Sequence, residues 1–243
     1  AKIADIRSTL DEKRRPRIWD VIQEKTGTIH PLVWVGIGLA SLQQFTGINV
    51  VFYYGGTLWQ AAGFTESSAL FTNVINGSVN VAFTFVAIAL VDRVGRKPLL
   101  LVGSIGQAVM LGVMAYVFGT SGVQASGALQ MEGNMGLVAL VAANAYIAFF
   151  AFSWGPIMWV LLGEMFPNQF RGAALSICGL VQWLSNFLVT WTFPVLLNSI
   201  GLGLSYAIYA TFGLVAFAFV KLFVQETKGR TLEDMSREAA ETA

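Results

Sequence analysis

Six long runs of apolar residues, separated by short polar or charged segments, make up most of the chain. A run of roughly 20 apolar residues in a helix can cross the hydrocarbon core of a bilayer. The runs do not alternate as the strands of a membrane barrel would. They also lack the polar face expected of surface helices in a large soluble helical protein. The pattern therefore predicts an all-α integral membrane fold with six transmembrane helices, at 31–60, 67–91, 98–119, 137–163, 172–198 and 202–224.

Basic residues are concentrated in alternate connections between these runs. Of the 15 Lys and Arg, seven precede Pro31, three lie within 92–98, Arg171 follows the fourth run, and the last four begin at Lys221. The connections 61–66, 120–136 and 198–202 contain none. Since cytoplasmic loops carry the excess of Lys and Arg, we expect both termini on the cytoplasmic side of a plasma or bacterial inner membrane.

The same pattern divides the chain into three parts. Residues 1–30 mix charges of both signs with isoleucine, leucine and tryptophan, and predict a cytoplasmic linker of amphipathic helices interrupted at Pro16. Residues 31–226 form the predicted six-helix bundle. Residues 227–243 are expected to be a charged cytoplasmic tail.

Composition supports a membrane protein and excludes several kinds of site. Hydrophobic residues make up 55% of the chain and charged residues 12%, whereas a soluble domain has about 25% charged residues. The net charge of +1 gives no reason to expect a nucleic-acid partner. His30 and Cys178 are the single histidine and cysteine, so neither a disulfide framework nor a metal site of these residues is expected. Nothing in the sequence implies a cofactor.

The first apolar run contains an unusual set of polar residues. The stretch SLQQFTGINVVFYYGG, residues 41–56, lies in an uncharged segment. Its polar side chains are Gln43, Gln44, Asn49, Tyr53 and Tyr54. On a straight helix four of them share an arc of roughly 140°, with Gln44 outside it. A helix break near Gly47 would let all five converge, because glycine adopts unusual backbone angles at low cost.

Other runs contain polar or helix-breaking residues as well. The second has asparagines on one helical face, the fourth contains SWGPIMW, and the fifth has an amide pair four residues apart. The residues are Asn73, Asn76 and Asn80; Gly155, Pro156 and Trp159; and Gln182, Trp183 and Asn186. Such amides can simply hold helices together. They also suit a ligand with many hydroxyl groups, and the absence of charge in mid-run favours a neutral ligand such as a sugar.

Charged residues are found where the predicted helices leave the membrane. They are Asp92, Arg93, Arg96, Lys97, Glu164, Arg171, Glu226 and Lys228. Some set the topology. Glu164 and Glu226 lie among basic residues, where pairing across helix ends would hold one conformation and break in another.

Five stretches together resemble the sugar porter family of the major facilitator superfamily, in its C-terminal half. They are QQFTGINVVFYY, DRVGRK, WGPIMWVLLGEMFPNQFRG, QWLSNF and ETKGRTLE. The resemblance implies one half of a twelve-helix transporter, with the sugar bound between this half and a missing N-terminal half. It implies sugar contacts from Gln43, Gln44, Asn49, Tyr53, Asn80, Trp159, Gln182 and Trp183. It also implies a charge network at the inner helix ends, stabilising the outward-facing state. Gln225 departs from the family, which usually has proline there.

The sequence thus predicts half of a secondary active transporter that moves a neutral monosaccharide by alternating access and, by resemblance, is a proton symporter. A facilitative sugar uniporter and a non-transporting sugar sensor on the same fold are the alternatives. An integral membrane enzyme is disfavoured, because the apolar runs contain no carboxylate pair, serine–histidine pair or metal ligands.

Overall fold

The structure, a computed structural model, describes residues 18–23, 27–61, 65–123, 129–131 and 133–229. A short 3-10 helix, Ile18–Val21, precedes eight α-helices: α1 Pro31–Phe45, α2 Ile48–Tyr53, α3 Gly55–Ala61, α4 Glu66–Val94, α5 Arg96–Thr120, α6 Met135–Ala151, α7 Trp154–Met165 and α8 Arg171–Phe223. Two strands of two residues, Gly122–Val123 and Leu129–Gln130, pair antiparallel between α5 and α6. The predicted amphipathic helices around Pro16 and most of the tail, 230–243, lie outside the described residues.

Five helical stretches in the described part of the chain are long and apolar enough to cross a membrane: Pro31–Tyr53, Glu66–Val94, Arg96–Thr120, Met135–Met165 and Arg171–Phe223. The last contains both the fifth and the sixth predicted helices. At Gly201 its backbone leaves the helical region, with φ 77° and ψ 174°, a conformation open to glycine because it has no Cβ.

The two arms of α8, before and after Gly201, fold back on each other. Ala174 and Cys178 near its start share one hydrophobic cluster with Ala216 and Val220 near its end. A straight 53-residue helix could not bring those ends together. The two arms therefore supply the fifth and sixth predicted runs, and the prediction of a helical membrane fold is confirmed.

Two transmembrane stretches are broken where the candidate site lies. Between α1 and α2, Gly47 has φ 81°. Between α6 and α7 the break lies at Phe152 and Ser153, three residues before the predicted break at Gly155 and Pro156. Pro156 instead lies in the first turn of α7, where backbone N–H groups lack intrahelical partners, so its missing N–H costs no hydrogen bond.

Two hydrophobic clusters form the core. One contains Leu39, Leu42, Trp154 and Leu162 from α1 and α7, together with the ends of α8. The other begins at Ile48 and contains residues of α2, α5, α6 and the middle of α8. Their boundary along the first transmembrane stretch falls at 43–47, so the polar residues of that stretch lie between the two clusters.

Candidate functional site

The last turn of α1 positions a buried glutamine against the start of α7. Gln43 is 3% exposed, and its Nε2 donates to the carbonyl oxygens of Trp154, at 2.8 Å, and Gly155, at 3.4 Å. The indole Nε1 of Trp154 donates in turn to the hydroxyl of Ser104, at 2.9 Å. The breaks in the two transmembrane stretches are therefore joined directly by one amide side chain.

Gln43 also begins a chain of amide-to-amide hydrogen bonds. Its Oε1 accepts from Gln182 Nε2, at 2.9 Å, and from Gln44 Nε2, at 3.3 Å. Asn49 Nδ2 donates to Gln44 Oε1, at 2.7 Å, and to Asn186 Oδ1, at 2.9 Å. We call these five side chains the amide network. They come from α1, α2 and the first arm of α8, and Gly47 allows both sides of the break to contribute.

Two hydroxyl groups extend the amide network toward the end of the first arm of α8. Thr190 Oγ1 donates to Asn186 Oδ1, at 3.1 Å, and Tyr54 OH donates to the carbonyl oxygen of Thr190, at 3.2 Å. Gln182, Asn186 and Thr190 recur every four residues and so share one helical face. That periodicity is visible in the sequence and could have identified Asn186 and Thr190, which the predicted sugar contacts omit.

Three polar atoms of the amide network remain open to a ligand. Three amide atoms have no hydrogen-bond partner among the described residues, and none of them is buried. They are Asn49 Oδ1, Gln182 Oε1 and Asn186 Nδ2. A carboxamide offers two donor hydrogens and an acceptor oxygen. The arrangement therefore presents two acceptors and one donor from adjacent side chains, while the rest of their capacity holds them in place.

The two predicted tryptophan contacts lie close in sequence to members or partners of the amide network but make no hydrogen bond to it among the described residues. Trp159 is 38% exposed and lies one turn after Gly155, whose carbonyl oxygen accepts from Gln43. Trp183 follows Gln182 and is 65% exposed. Both indole rings are accessible, and an aromatic face of this kind suits the C–H surface of a sugar ring.

Two predicted contacts have less support from the geometry. Tyr53 is 59% exposed and makes no hydrogen bond among the described residues, whereas its neighbour Tyr54 does. The side chain of half-buried Asn80 likewise makes no hydrogen bond to the described residues; only its backbone carbonyl is engaged, by Thr84 Oγ1 at 2.8 Å. The structure therefore does not bring these two side chains into the amide network.

Two tyrosines pack against the helix break at Gly47 and fix its backbone. Tyr146 OH on α6 donates to the carbonyl oxygen of Thr46, at 2.9 Å, and is fully buried. The ring of Tyr209 lies against Gly47, so close that a Cβ there would be 2.9 Å from it. These contacts fix the angle between α1 and α2, and with it the relative positions of Gln43, Gln44 and Asn49.

The charged residues form a second group at the opposite end of α7. Arg96 Nη2 pairs with Glu164 Oε1, at 2.7 Å, and with Asp92 Oδ1, at 3.0 Å. The hydroxyl of Thr227 donates to the other Glu164 oxygen. These contacts join α4, α5 and α7 to the segment after α8.

Glu226 takes part differently from the prediction of an ion pair. Its carboxylate accepts hydrogen bonds at 2.9–3.0 Å from the backbone N–H groups of Arg96, Lys97, Thr227 and Lys228, and it forms no ion pair with any described residue. Partial burial favours the neutral acid, but the four N–H donors outweigh it and lower the pKa of Glu226 below its ordinary value.

Three other predicted members bond only to backbone carbonyls or not at all among the described residues. Arg171 Nε donates to the carbonyl of Phe166, at 2.9 Å, and Lys97 Nζ to that of Lys221, at 3.2 Å. Arg93 makes no side-chain hydrogen bond or ion pair there. The ion-paired part of the charge network is therefore Asp92, Arg96 and Glu164.

Comparison with known proteins identifies the family. The family model described as "Sugar (and other) transporter" matches residues 1–239. The chain belongs to this sugar transporter family, within the major facilitator superfamily. It is 50% identical over 235 residues to a glucose transport protein of Synechocystis sp., covering 97% of this chain and 50% of that protein. It is 41% identical to the D-xylose-proton symporter of Escherichia coli strain K12, covering 84% of this chain and 40% of that protein.

A solved structure gives the same result for the fold. The proton:xylose symporter XylE, bound to 6-bromo-6-deoxy-D-glucose, aligns over 98% of this chain and 48% of its own, with a TM-score of 0.78 and 36% identity. The chain thus spans about half the length of the relatives it matches.

Proposed function

We propose that this chain is the C-terminal half of a transporter for a neutral monosaccharide, a hexose or pentose, and supplies most of the hydrogen bonds to the sugar. The observation that carries the proposal is the amide network, which joins two helix breaks and leaves two acceptors and one donor accessible. Relatives named for glucose and for xylose support the substrate class.

The transport cycle then needs a partner. Alternating access requires two bundles that rock about a central site, and this chain supplies one bundle. The missing bundle is an N-terminal six-helix half, and the sugar lies between the two with Trp159 and Trp183 against its ring. Both termini are cytoplasmic, in agreement with the distribution of Lys and Arg. Proton coupling is supported by the similarity to a D-xylose-proton symporter, seen in both the sequence and the structure comparisons.

The deciding experiment replaces Gln182 with leucine in the transporter assembled from both halves. Gln182 makes one hydrogen bond to Gln43 and keeps Oε1 free. Because a net hydrogen bond contributes about 0.5–1.5 kcal/mol, stability should fall little, while loss of the bond from Oε1 to the sugar should lower sugar affinity by up to about tenfold. Isothermal titration with glucose, galactose and xylose measures the affinity, and thermal unfolding measures the stability.

Gln107 provides a matched control. It is fully buried on α5, and neither amide atom has a partner among the described residues. Leucine there removes an amide of the same size that does not belong to the amide network, so it should preserve sugar affinity and leave stability equal or higher. Equal affinity in wild type and Gln182→Leu, with lowered stability, would show that the amides only hold helices together.

Trp159→Ala tests the aromatic side of the site. Because Trp159 is partly exposed, its removal should lower sugar affinity more than stability. Sugar normally raises the melting temperature by mass action, and this variant should lose most of that increase. A low melting temperature with an undiminished sugar-induced increase would remove Trp159 from the site.

A further inference from the structure

Four cationic side chains at the charged end of the bundle have no carboxylate partner among the described residues. They are Arg93, Lys97, Lys221 and Lys228. They come from the end of α4, the start of α5, the end of α8 and the segment that follows it. We call them the cation rim. Lys and Arg are commonly present at such positions only to set topology. A binding role for the rim therefore depends on which groups surround it.

Backbone contacts hold the cation rim together. Lys97 Nζ donates to the carbonyl oxygen of Lys221, at 3.2 Å, and Lys228 Nζ donates to that of Arg93, at 2.6 Å. Glu226, between them, binds the start of α5 through the backbone N–H groups of Arg96 and Lys97. The four cations are therefore tied to one turn around Gly95, although they come from three helices.

The nearby carboxylates are already engaged. Asp92 and Glu164 both pair with Arg96, and Glu226 accepts four backbone hydrogen bonds. Within the described part of the chain, five cations and three carboxylates meet here, so their charges sum to two positive charges. Among the described residues, none of the three ammonium groups of the rim bonds to more than one backbone carbonyl, although an ammonium can donate three hydrogen bonds.

Exposed apolar side chains lie beside the cations. Val94 is 44% exposed, Leu222 73% and Phe223 58%. Val94 follows Arg93 in the sequence, and Leu222 and Phe223 follow Lys221. A ligand that fits both features has an anionic head group and hydrocarbon chains. A free phosphate would use the cations alone and leave the apolar surface uncovered.

We propose that the cation rim binds the head group of an anionic phospholipid, with its acyl chains against Val94, Leu222 and Phe223. The rim lies on the cytoplasmic side by the topology proposed above, where anionic lipids attract basic groups at helix ends. This proposal depends on the proposed function only for that orientation. Sugar binding can succeed or fail independently of it.

The experiment uses the transporter assembled from both halves and native mass spectrometry in mild detergent. Wild type is titrated with phosphatidylglycerol and, separately, with phosphatidylcholine of the same chain length. Wild type should prefer phosphatidylglycerol. Since each basic group near a surface adds about 1 kcal/mol of attraction, Lys97→Gln/Lys221→Gln should weaken phosphatidylglycerol binding about tenfold or more. Lys97→Arg/Lys221→Arg should keep the preference, which separates charge from packing.

Equal binding by the Lys97→Gln/Lys221→Gln variant and wild type would overturn the proposal. Inorganic phosphate alone is the second probe. If it displaces phosphatidylglycerol at millimolar concentration, the rim is a phosphate site and the assignment to lipid is wrong.

Discussion

On the proposed function, individual amides both hold helices together and bind the ligand, two roles that are usually considered as alternatives. Gln43 is almost fully buried and bonds to α7 and α8, so it holds helices together. Asn49, Gln182 and Asn186 use part of their capacity in the same way and keep one atom each accessible. In a ligand site made of amides that already bond to neighbouring helices, the donors and acceptors are oriented before the ligand arrives. This lowers the entropy lost on binding.

The orientation of those side chains depends on a single glycine. Gly47 has φ 81°, and Tyr209 occupies the space that a Cβ would need. Gly47→Ala should therefore lower stability by roughly 1–3 kcal/mol and weaken sugar binding as well, because Gln43 and Asn49 lie on opposite sides of it. Gly77→Ala is the matched control: Gly77 is inside α4 with nothing near its missing Cβ, so alanine should raise stability by about 0.5–1 kcal/mol. Thermal unfolding of both variants, with and without sugar, measures the effects. An unchanged melting temperature for Gly47→Ala would contradict the strain argument.

At the scale of secondary-structure elements, the start of α5 is capped by a residue from another part of the chain. The start of α5 has no capping side chain of its own, and Glu226 supplies the anion from beyond α8. A carboxylate at a helix N-terminus is favoured by the unpaired N–H groups and the helix dipole. Glu226 thus links α5 to the segment after α8 without an ion pair, and the strength of that link depends on its charge.

Protonation should therefore weaken this contact. The folded protein lowers the pKa of Glu226 below the ordinary value of 4.5, so its stabilisation is complete above that pH and is lost as the pH falls through the folded-state pKa. Glu226→Gln should cost about 0.3–1 kcal/mol at neutral pH. The difference from wild type should vanish in acid, because wild type then also carries a neutral group. Unfolding of wild type and Glu226→Gln in detergent across this pH range tests it. A difference that stays constant down to strong acid would rule out the charge as its cause.

The sequence predicts different elements with different success, for physical reasons. Gln43, Gln44 and Asn49 stand out because buried amides in an apolar run need partners, and glycine marks the break between them. The break before α7 lies at Phe152 and Ser153, since a proline is easily accommodated in a first turn and does not itself mark the break. All four partners of Glu226 are backbone N–H groups, two of them distant in sequence, whereas residue type alone indicates a cationic partner.

At the scale of the whole molecule, the two groups of polar residues lie apart along α7. The amide network contacts the first turn of α7, and the Arg96–Glu164 pair lies at its last turn. The helix is 12 residues long. A rigid α7 would carry movement from one to the other. Sugar binding and the opening of the charged end can thus be linked through one element with contacts at both ends.

On the proposed function, we expect proton coupling to depend on residues outside this chain. No Asp or Glu occurs in the six apolar runs of this chain; its acidic residues lie at or beyond their ends. We therefore expect Asp92→Asn, Glu164→Gln and Glu226→Gln to change transport rates while leaving the number of protons moved per sugar unchanged. Breaking the Arg96–Glu164 pair should shift the protein toward inward-facing states, because a partly buried charge loses its partner.

Sugar counterflow in proteoliposomes, which needs no proton gradient, reports the carrier's rate. Sugar-driven proton uptake, measured in the same vesicles, reports the coupling. Glu66→Gln, exposed at the start of α4, serves as the control for loss of one negative charge. If Glu164→Gln retained counterflow and lost proton uptake, the coupling carboxylate would lie within this chain, and its role would extend beyond holding α5 to α7.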